Sequence, residues 1–275
     1  MIKTVAIQGA KGSFHHIVSQ EFFKAPVDVI ECMTFDKVVD DLITEECDAA
    51  IMALENSIAG SIIPNYALIN KYDLHIVGEH YLDIQHNLMA WPNQTIADIK
   101  EVYSHPMALL QCKEFFKRHP HIKLVEDKDT AEVAQRIQEK NLLGIGAIAS
   151  VTAAKIFKLD ILAYSIQTIK HNETRFVIVR RANSDLPENE INKASVKFEA
   201  NHQRGSLATI LNVMSDCKLN LTKIQSLPIV ETPWKYAFFV DVTFKNYADF
   251  KKAKSVIAIM GDEFKVLGEY KNAKL

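Results

Sequence analysis

Lys3-Thr4-Val5-Ala6-Ile7-Gln8-Gly9-Ala10-Lys11-Gly12-Ser13-Phe14 decides how the first two thirds of this chain are read. A strand-like run, Lys3–Ile7, enters a turn with two glycines, and Ser13 stands where a helix N-cap belongs. Glycine allows the tight turn, and a helix begun there would offer free N–H groups to an anion. The dinucleotide fingerprint is absent, because the third glycine and the acidic residue after the second strand are not in place. So is the Lys-Ser/Thr ending of a nucleotide P-loop. The segment reads as one strand-to-helix junction, either an anion-binding one or an ordinary turn.

Outward from it, apolar and amphipathic runs alternate as in βαβ units on a largely parallel sheet. Strands are expected at Lys3–Ile7, Val27–Glu31, Ala49–Ala53, Leu74–Val77, Asn87–Trp91, Glu101–Ser104, Lys123–Glu126, Leu143–Ala147 and Arg175–Arg180. Helices fit at Phe14–Phe23, Phe35–Glu46, Met107–Arg118, Thr130–Glu139 and Ser150–Phe157. So many strands exceed one small sheet. Residues 1–182 are expected to form two α/β lobes around a cleft, the architecture also used by periplasmic binding proteins. Periodicity fails over 183–192, where Pro187, Asn189 and acidic residues cluster, and that stretch reads as a linker. Residues 193–275 then give strand (Ala194–Ala200), helix (Leu207–Cys217), strand (Asn220–Val230), strand (Trp234–Phe244), helix (Ala248–Met260) and strand (Glu263–Tyr270). This βαββαβ, ferredoxin-like order implies a four-stranded antiparallel sheet with two helices on one face. The other face, carrying Phe239 and Asp241, would need a partner or solvent, which suggests a homodimer or homotetramer.

Bulk properties narrow the function. The 275 residues are 48% hydrophobic and 24% charged, which suits a globular protein. A net charge of −2 argues against nucleic acid as a partner. Residues 1–182 hold 19 Lys and Arg against 23 Asp and Glu, so an anionic substrate would be captured by local donors. No apolar run approaches the roughly 18 residues of a membrane span, and no export signal is visible, so a cytoplasmic protein is expected. Cys32, Cys47, Cys112 and Cys217 lie far apart, as reduced, buried thiols would. His15-His16 and His119-Pro120-His121 have no third ligand nearby, so no metal is expected, and with no phosphate loop no nucleotide cofactor is expected either. No Gly-x-Ser-x-Gly elbow marks a hydrolase.

Polar side chains instead gather at strand ends, where α/β folds bind ligands. They are Ser13; Glu55-Asn56-Ser57 with Gly60; Ser104-His105-Pro106 with Gln111-Cys112; Gly146–Ser150; and His171-Asn172-Glu173-Thr174-Arg175-Phe176. Taken in this order, with Asp129-Thr130-Ala131, they resemble the prephenate dehydratase family over nearly the whole chain. Asn172-x-Thr174-Arg175-Phe176 is the most specific match; Ala10, Ser13, His15 and Met107 depart from the family pattern. The resemblance implies a lyase that takes prephenate to phenylpyruvate in phenylalanine biosynthesis. Thr174 would be the catalytic donor, with Glu55 and His105 as competing acids. Ser13, Asn56, Ser57, Ser104, Gln111, Arg175 and Phe176 would bind substrate, with carboxylates received by N–H groups near Ser13 and Pro106. It also implies a C-terminal ACT domain that binds phenylalanine as effector at Gly205, Ser206, Leu207, Asn220, Gln225, Ser226 and Pro228. Gln225 and Leu227 stand where the family has Glu and Arg. Arogenate dehydratase, a non-catalytic binder and an amino-acid sensor remain the alternatives.

Overall fold

Ala49-Ala50-Ile51-Met52-Ala53-Leu54 carries no polar side chain, which suits a strand covered on both faces. In the computed structural model of the chain all six residues are buried. The structure describes residues 2–200, 203–229, 235–260 and 262–274. Its strands are β1 (Thr4–Gln8), β2 (Asp28–Cys32), β3 (Ala49–Asn56), β4 (Gly60–Ser61), β5 (His75–Asp83), β6 (Asn87–Ala90), β7 (Glu101–Ser104), β8 (Lys123–Glu126), β9 (Ile145–Ala149), β10 (Asp160–Ala163), β11 (Glu173–Arg180), β12 (Lys193–Glu199), β13 (Asn220–Pro228), β14 (Tyr236–Thr243) and β15 (Asp262–Tyr270). The α-helices are α1 (Phe14–Phe23), α2 (Phe35–Ile43), α3 (Ile63–Lys71), α4 (Pro106–Gln111), α5 (Lys113–Phe116), α6 (Thr130–Lys140), α7 (Val151–Phe157), α8 (Ser206–Asp216) and α9 (Tyr247–Met260).

Two compact units result, Met1–Gly60 with Tyr81–Phe176, and Ser61–His80 with Val177–Leu275. The first holds two α/β lobes, as the alternating pattern requires. In one, β1 lies between β2 and β3, all parallel. In the other, the strand order is β10-β6-β9-β7-β8, with β6 antiparallel to both its neighbours. Small residues let helices close on that sheet. Ala131 and Ala134 of α6 and Ala153 of α7 pack on Ala147 and Ala149 on one face. Ala108, Leu109 and Phe116 pack with Leu88 and Ile148 on the other. The single helix expected over Met107–Arg118 is broken at Cys112, whose φ of −99° and ψ of 4° leave the helical region. β4, β10 and α3 had no counterpart in the sequence reading.

In the second unit β13-β14-β12-β15 pair antiparallel throughout, the expected βαββαβ arrangement. Ile210 and Met214 of α8, with Phe250, Ala253 and Ile257 of α9, bury one face against Val196, Phe198, Val240 and Val242. The expected strand ends Val230 and Trp234 lie outside the described residues. The opposite face is not left for another subunit: residues 61–80 cover it. The Tyr66 ring meets Phe239 edge-on at 5.4 Å, and Lys223 Nζ donates to Ser61 Oγ at 2.8 Å. β5 joins β15 in parallel at Ile76 and Gly268, and a Cβ at 268 would lie 2.2 Å from the Ile76 carbonyl oxygen. Only glycine permits that approach. Among the described residues no helix is long and apolar enough to cross a membrane.

Candidate active site

Two segments carry the chain between the lobes of the first unit, and they are zipped together. Ile84 N–H donates to the Asn172 carbonyl at 2.6 Å, and Ile166 N–H to that of His86 at 2.8 Å. His86 N–H donates to Gln167 Oε1 at 3.0 Å, and Thr168 N–H to the Gln111 carbonyl at 2.9 Å. This crossover brings four distant polar side chains to the end of β3. Asn56 Oδ1 accepts from Ile58 N–H at 3.0 Å and Ala59 N–H at 2.9 Å, while its Nδ2 reaches Asn172 Oδ1 at 2.7 Å and Thr174 Oγ1 at 2.8 Å. Asn172 Nδ2 donates to Gln111 Oε1 at 2.9 Å, and the same oxygen lies 2.8 Å from His86 Nε2. Asn56, His86, Asn172 and Thr174 are all buried. A buried polar group must be paired or costs about 1–3 kcal/mol, so the fold specifies this network tightly.

The glycine turn of the first lobe sits on helix caps of the second. Ser150 Oγ, which caps α7, donates to the Gly12 carbonyl at 2.6 Å. Asp129 caps α6 and also accepts from Ala10 N–H. Gly9 has φ +92°, and a Cβ there would meet Asp129 Oδ2 at 2.5 Å. Burial raises the Asp129 pKa, against the pull of those N–H donors. Ser13 caps α1 by accepting His16 N–H at 3.3 Å. His15, where the family has a hydroxyl, turns edge-on between Phe35 and Phe176 at 5.5 and 4.9 Å. Burial drives its pKa down to about 3, and that of His86 to about 4, so both rings are neutral.

Of the expected site residues, Asn56, Gln111 and Thr174 are brought together. Glu55 and Arg175 sit beside Asn56 and Thr174 in β3 and β11, so strand alternation turns them to the opposite face, where both have other partners. Ser104 is fully buried and gives its proton to the Ile148 carbonyl at 2.8 Å, so its hydroxyl ties β7 to β9 instead of facing a ligand. Ser57 ties its loop to β11 by accepting Glu173 N–H at 3.0 Å. His105 is exposed at the start of α4, and its Nδ1 accepts Met107 N–H at 3.2 Å. That N–H, expected for a carboxylate near Pro106, is therefore taken. Phe176 is a wall residue against His15. Asn172 and Asp129 stand in the quoted motifs without a role of their own, whereas His86 and Gln167 have no place in them; the polar run Gln85-His86-Asn87 leading into β6 is the available signal for His86.

In the second unit Gly205, with φ +88°, opens α8 ahead of Ser206 and Leu207. Asn220 Nδ2 lies 3.5 Å from Thr243 Oγ1, and Gln225 Nε2 donates to the Ser226 carbonyl at 3.0 Å; Pro228 ends β13. Among the described residues no cluster of three or more His, Cys, Asp or Glu could hold a metal ion.

Known proteins resemble this chain in sequence and in fold. The family profile "PDT: Prephenate dehydratase" matches residues 5–184. The bifunctional chorismate mutase/prephenate dehydratase of Buchnera aphidicola subsp. Acyrthosiphon pisum (strain APS) is 31% identical over 238 residues, which are 85% of this chain and 62% of that protein. The chain thus spans less than two thirds of that relative's length. A solved structure described as "GqqA- a novel type of quorum quenching acylases" superposes with a TM-score of 0.88 at 25% identity, covering 98% of both chains. The prephenate dehydratase of Arthrobacter aurescens, solved in complex with L-Phe, gives 0.87 at 24% identity over 98% of this chain and 90% of that one.

Proposed function

The chain belongs to the prephenate dehydratase family, and on that premise we propose that it converts prephenate to phenylpyruvate, with residues 1–182 as the catalytic domain, 183–192 as a linker and 193–275 as an ACT regulatory domain. In this reaction the bond from the ring to its carboxylate breaks and carbon dioxide leaves. The freed electron pair makes the ring aromatic and expels the ring hydroxyl, which takes one proton and departs as water. Aromatisation supplies the driving force. The protein's tasks are to hold two carboxylates and to present a proton donor to the leaving oxygen.

One observation carries the reading: the state of the Thr174 hydroxyl. Its oxygen accepts from Asn56 at 2.8 Å, and among the described residues nothing accepts its proton. Accepting a hydrogen bond makes an O–H a better donor and steadies charge that builds on oxygen as the proton leaves. Asn56 is itself held by two backbone N–H groups, so the donor is preorganised. Glu55 leaves the strand on the other face, which favours Thr174 over it. Acyl transfer, the activity named for GqqA, would need a base beside the nucleophile. Among the described residues the one side-chain partner of the Thr174 hydroxyl is an amide N–H, which cannot take a proton. Substrate carboxylates are assigned to the Gln111 amide and to the α1 N-terminus at Ser13, and no cofactor takes part.

The βαββαβ module is assigned an amino-acid effector, L-phenylalanine first, at Gly205–Leu207, Asn220 and Gln225–Pro228. Self-association as a dimer or tetramer would use a surface other than the one α3 covers, such as the edge of β13 with exposed Leu221 and Ile224. Four free, buried cysteines suit the cytoplasm; burial pushes Cys32 and Cys112 up to about 12. The test is turnover of prephenate and, separately, arogenate by the wild type and Thr174→Val. The valine keeps the side chain's shape, so kcat on prephenate is expected to fall roughly 10²-fold or more with little change in KM. Full activity of the variant overturns the assignment of Thr174, and turnover of arogenate alone reassigns the substrate.

A further inference from the structure

Backbone amides admit no choice of polarity, and two of them fix the orientation of four side chains in series. Ile58 and Ala59 N–H can only donate, so the Asn56 atom they meet is its oxygen. Asn56 therefore presents its nitrogen to Asn172, whose facing atom, at 2.7 Å, must be the oxygen. The Asn172 nitrogen then faces Gln111, and the atom it meets at 2.9 Å must again be oxygen. That oxygen also meets His86 Nε2 at 2.8 Å, and an oxygen can only accept. Nε2 thus carries the ring proton and Nδ1 is bare. A second observation agrees: His86 Nδ1 is buried with no hydrogen-bond partner. Side-chain amides and imidazoles are ordinarily ambiguous in orientation; here the backbone resolves them all.

The Gln111 oxygen is consequently held by two donors, while its NH2 has no acceptor among the described residues. We infer that His86 is a positioning residue, whose Nε2–H clamps the Gln111 carbonyl together with Asn172 and so aims the Gln111 NH2 at a substrate carboxylate. The ring is fixed for this task, 4% exposed and packed edge-on against Phe14 at 5.7 Å. Burial keeps it uncharged at neutral pH, so it acts by direction and not by charge. The ligand's identity rests on the dehydratase reading; the tautomer does not.

Two measurements test this. Nitrogen-15 NMR of the histidine-labelled full chain at neutral pH, with the His86 ring assigned by its loss in His86→Gln, should show a protonated Nε2 and a bare Nδ1. A proton on Nδ1 overturns the inference whatever the protein catalyses. The second compares His86→Gln, which places an amide nitrogen near the Nε2 position, with His86→Asn, which places one near Nδ1. His86→Gln is expected to keep the KM for prephenate within roughly twofold, while His86→Asn raises it roughly fivefold or more, with smaller changes in kcat. Equal KM values in the two variants overturn it, since a packing role would not distinguish the two nitrogens. If the wild type fails to turn over prephenate, the proposed function falls and the NMR result still decides the tautomer.

Discussion

Two networks of polar side chains in this molecule are wired oppositely. At the lobe crossover the members are neutral: Asn56, Asn172, Gln111, His86 and Thr174. Their series ends on a hydroxyl proton and an amide NH2 that nothing in the described protein accepts. Beneath the βαββαβ sheet the members are mostly charged and closed on one another. Lys193 Nζ meets both Glu79 oxygens, at 2.9 and 2.8 Å, and Glu79 also accepts Ala273 N–H at 3.2 Å. Ser195 bonds to Asp241 and, at 2.6 Å, to the Tyr270 hydroxyl. A network with open donors can act on a ligand; a closed one can only hold elements together. Breaking the two should give different symptoms.

The largest effect is expected in the closed network. Lys193→Ala removes the cation that faces the buried Glu79 carboxylate, and removing one partner of a buried pair costs about 3–5 kcal/mol. Denaturant unfolding should register that loss. Replacing both partners by methionine should be far milder, because no uncompensated charge remains. A negligible effect for the single variant would mean that water reaches Glu79.

In the open network the symptom should be kinetic. Asn56→Asp keeps the oxygen that Ile58 and Ala59 require but loses the hydrogen bonds donated to Asn172, Thr174 and the Glu173 carbonyl. A kcat loss of roughly 10²-fold with an unfolding midpoint moved by only a few degrees is expected. Equal damage to stability and rate would erase the distinction drawn above.

Acid separates the two as well, because the open half contains histidines held neutral by burial. His15 and His86 have folded pKa values of about 3 and about 4, below the unfolded 6.5. From 6.5 downward the unfolded chain takes up protons that the folded chain refuses. Stability is therefore complete above 6.5 and falls as pH drops towards 4, at a slope approaching about 1.4 kcal/mol per pH unit for each histidine. His15→Leu should make the fall shallower in denaturant unfolding between pH 6.5 and 4.5; an unchanged slope would show that the ring is hydrated.

A smaller effect is expected at the loop proposed to hold the effector. Gln225 and Leu227 replace a charged pair of the family, and a lost charged hydrogen bond costs about 1.5–3 kcal/mol, or roughly tenfold in affinity. Calorimetry should find phenylalanine bound more weakly than by a relative with the charged pair intact, and tight binding would refute this. Smallest of all, a chelator should leave prephenate turnover unchanged, whereas a loss restored by zinc or magnesium would sink the cofactor-free mechanism.

Local grammar was legible and long-range covering was not. Phe14–Phe23 and Glu101–Ser104 are found where the capping and alternation place them, because Ser13 and the apolar spacing act within a few residues. α3 was illegible for a local reason: Ile62 gives its N-terminus no side-chain cap, and apolar residues lie all round it. Lys193, Ser195, Lys197 and Asp241 alternate with apolar residues, a spacing that by itself suits a solvated face. All four are buried, under a segment more than a hundred residues upstream that no window of sequence connects to them. In the site, Thr174, Asn56 and Gln111 could be named from their motifs. The tautomer of His86 could not, since it follows from hydrogen bonds spanning Asn56 to Asn172.

The excursion of residues 61–80 bears on how such a protein could be rebuilt or inherited. A gene segment ending within residues 183–192 looks like a detachable cassette, yet the βαββαβ sheet keeps its floor in the other one. Cutting there would strip cover from Tyr66, Ile69, Leu74 and Ile76, all now buried, and would leave Glu79 without its lysine. A foreign βαββαβ module grafted in its place would have to offer a phenylalanine to Tyr66 and a glycine to Ile76. The unit of exchange is therefore the C-terminal module together with twenty residues from the middle of its neighbour, and the two can change only in step.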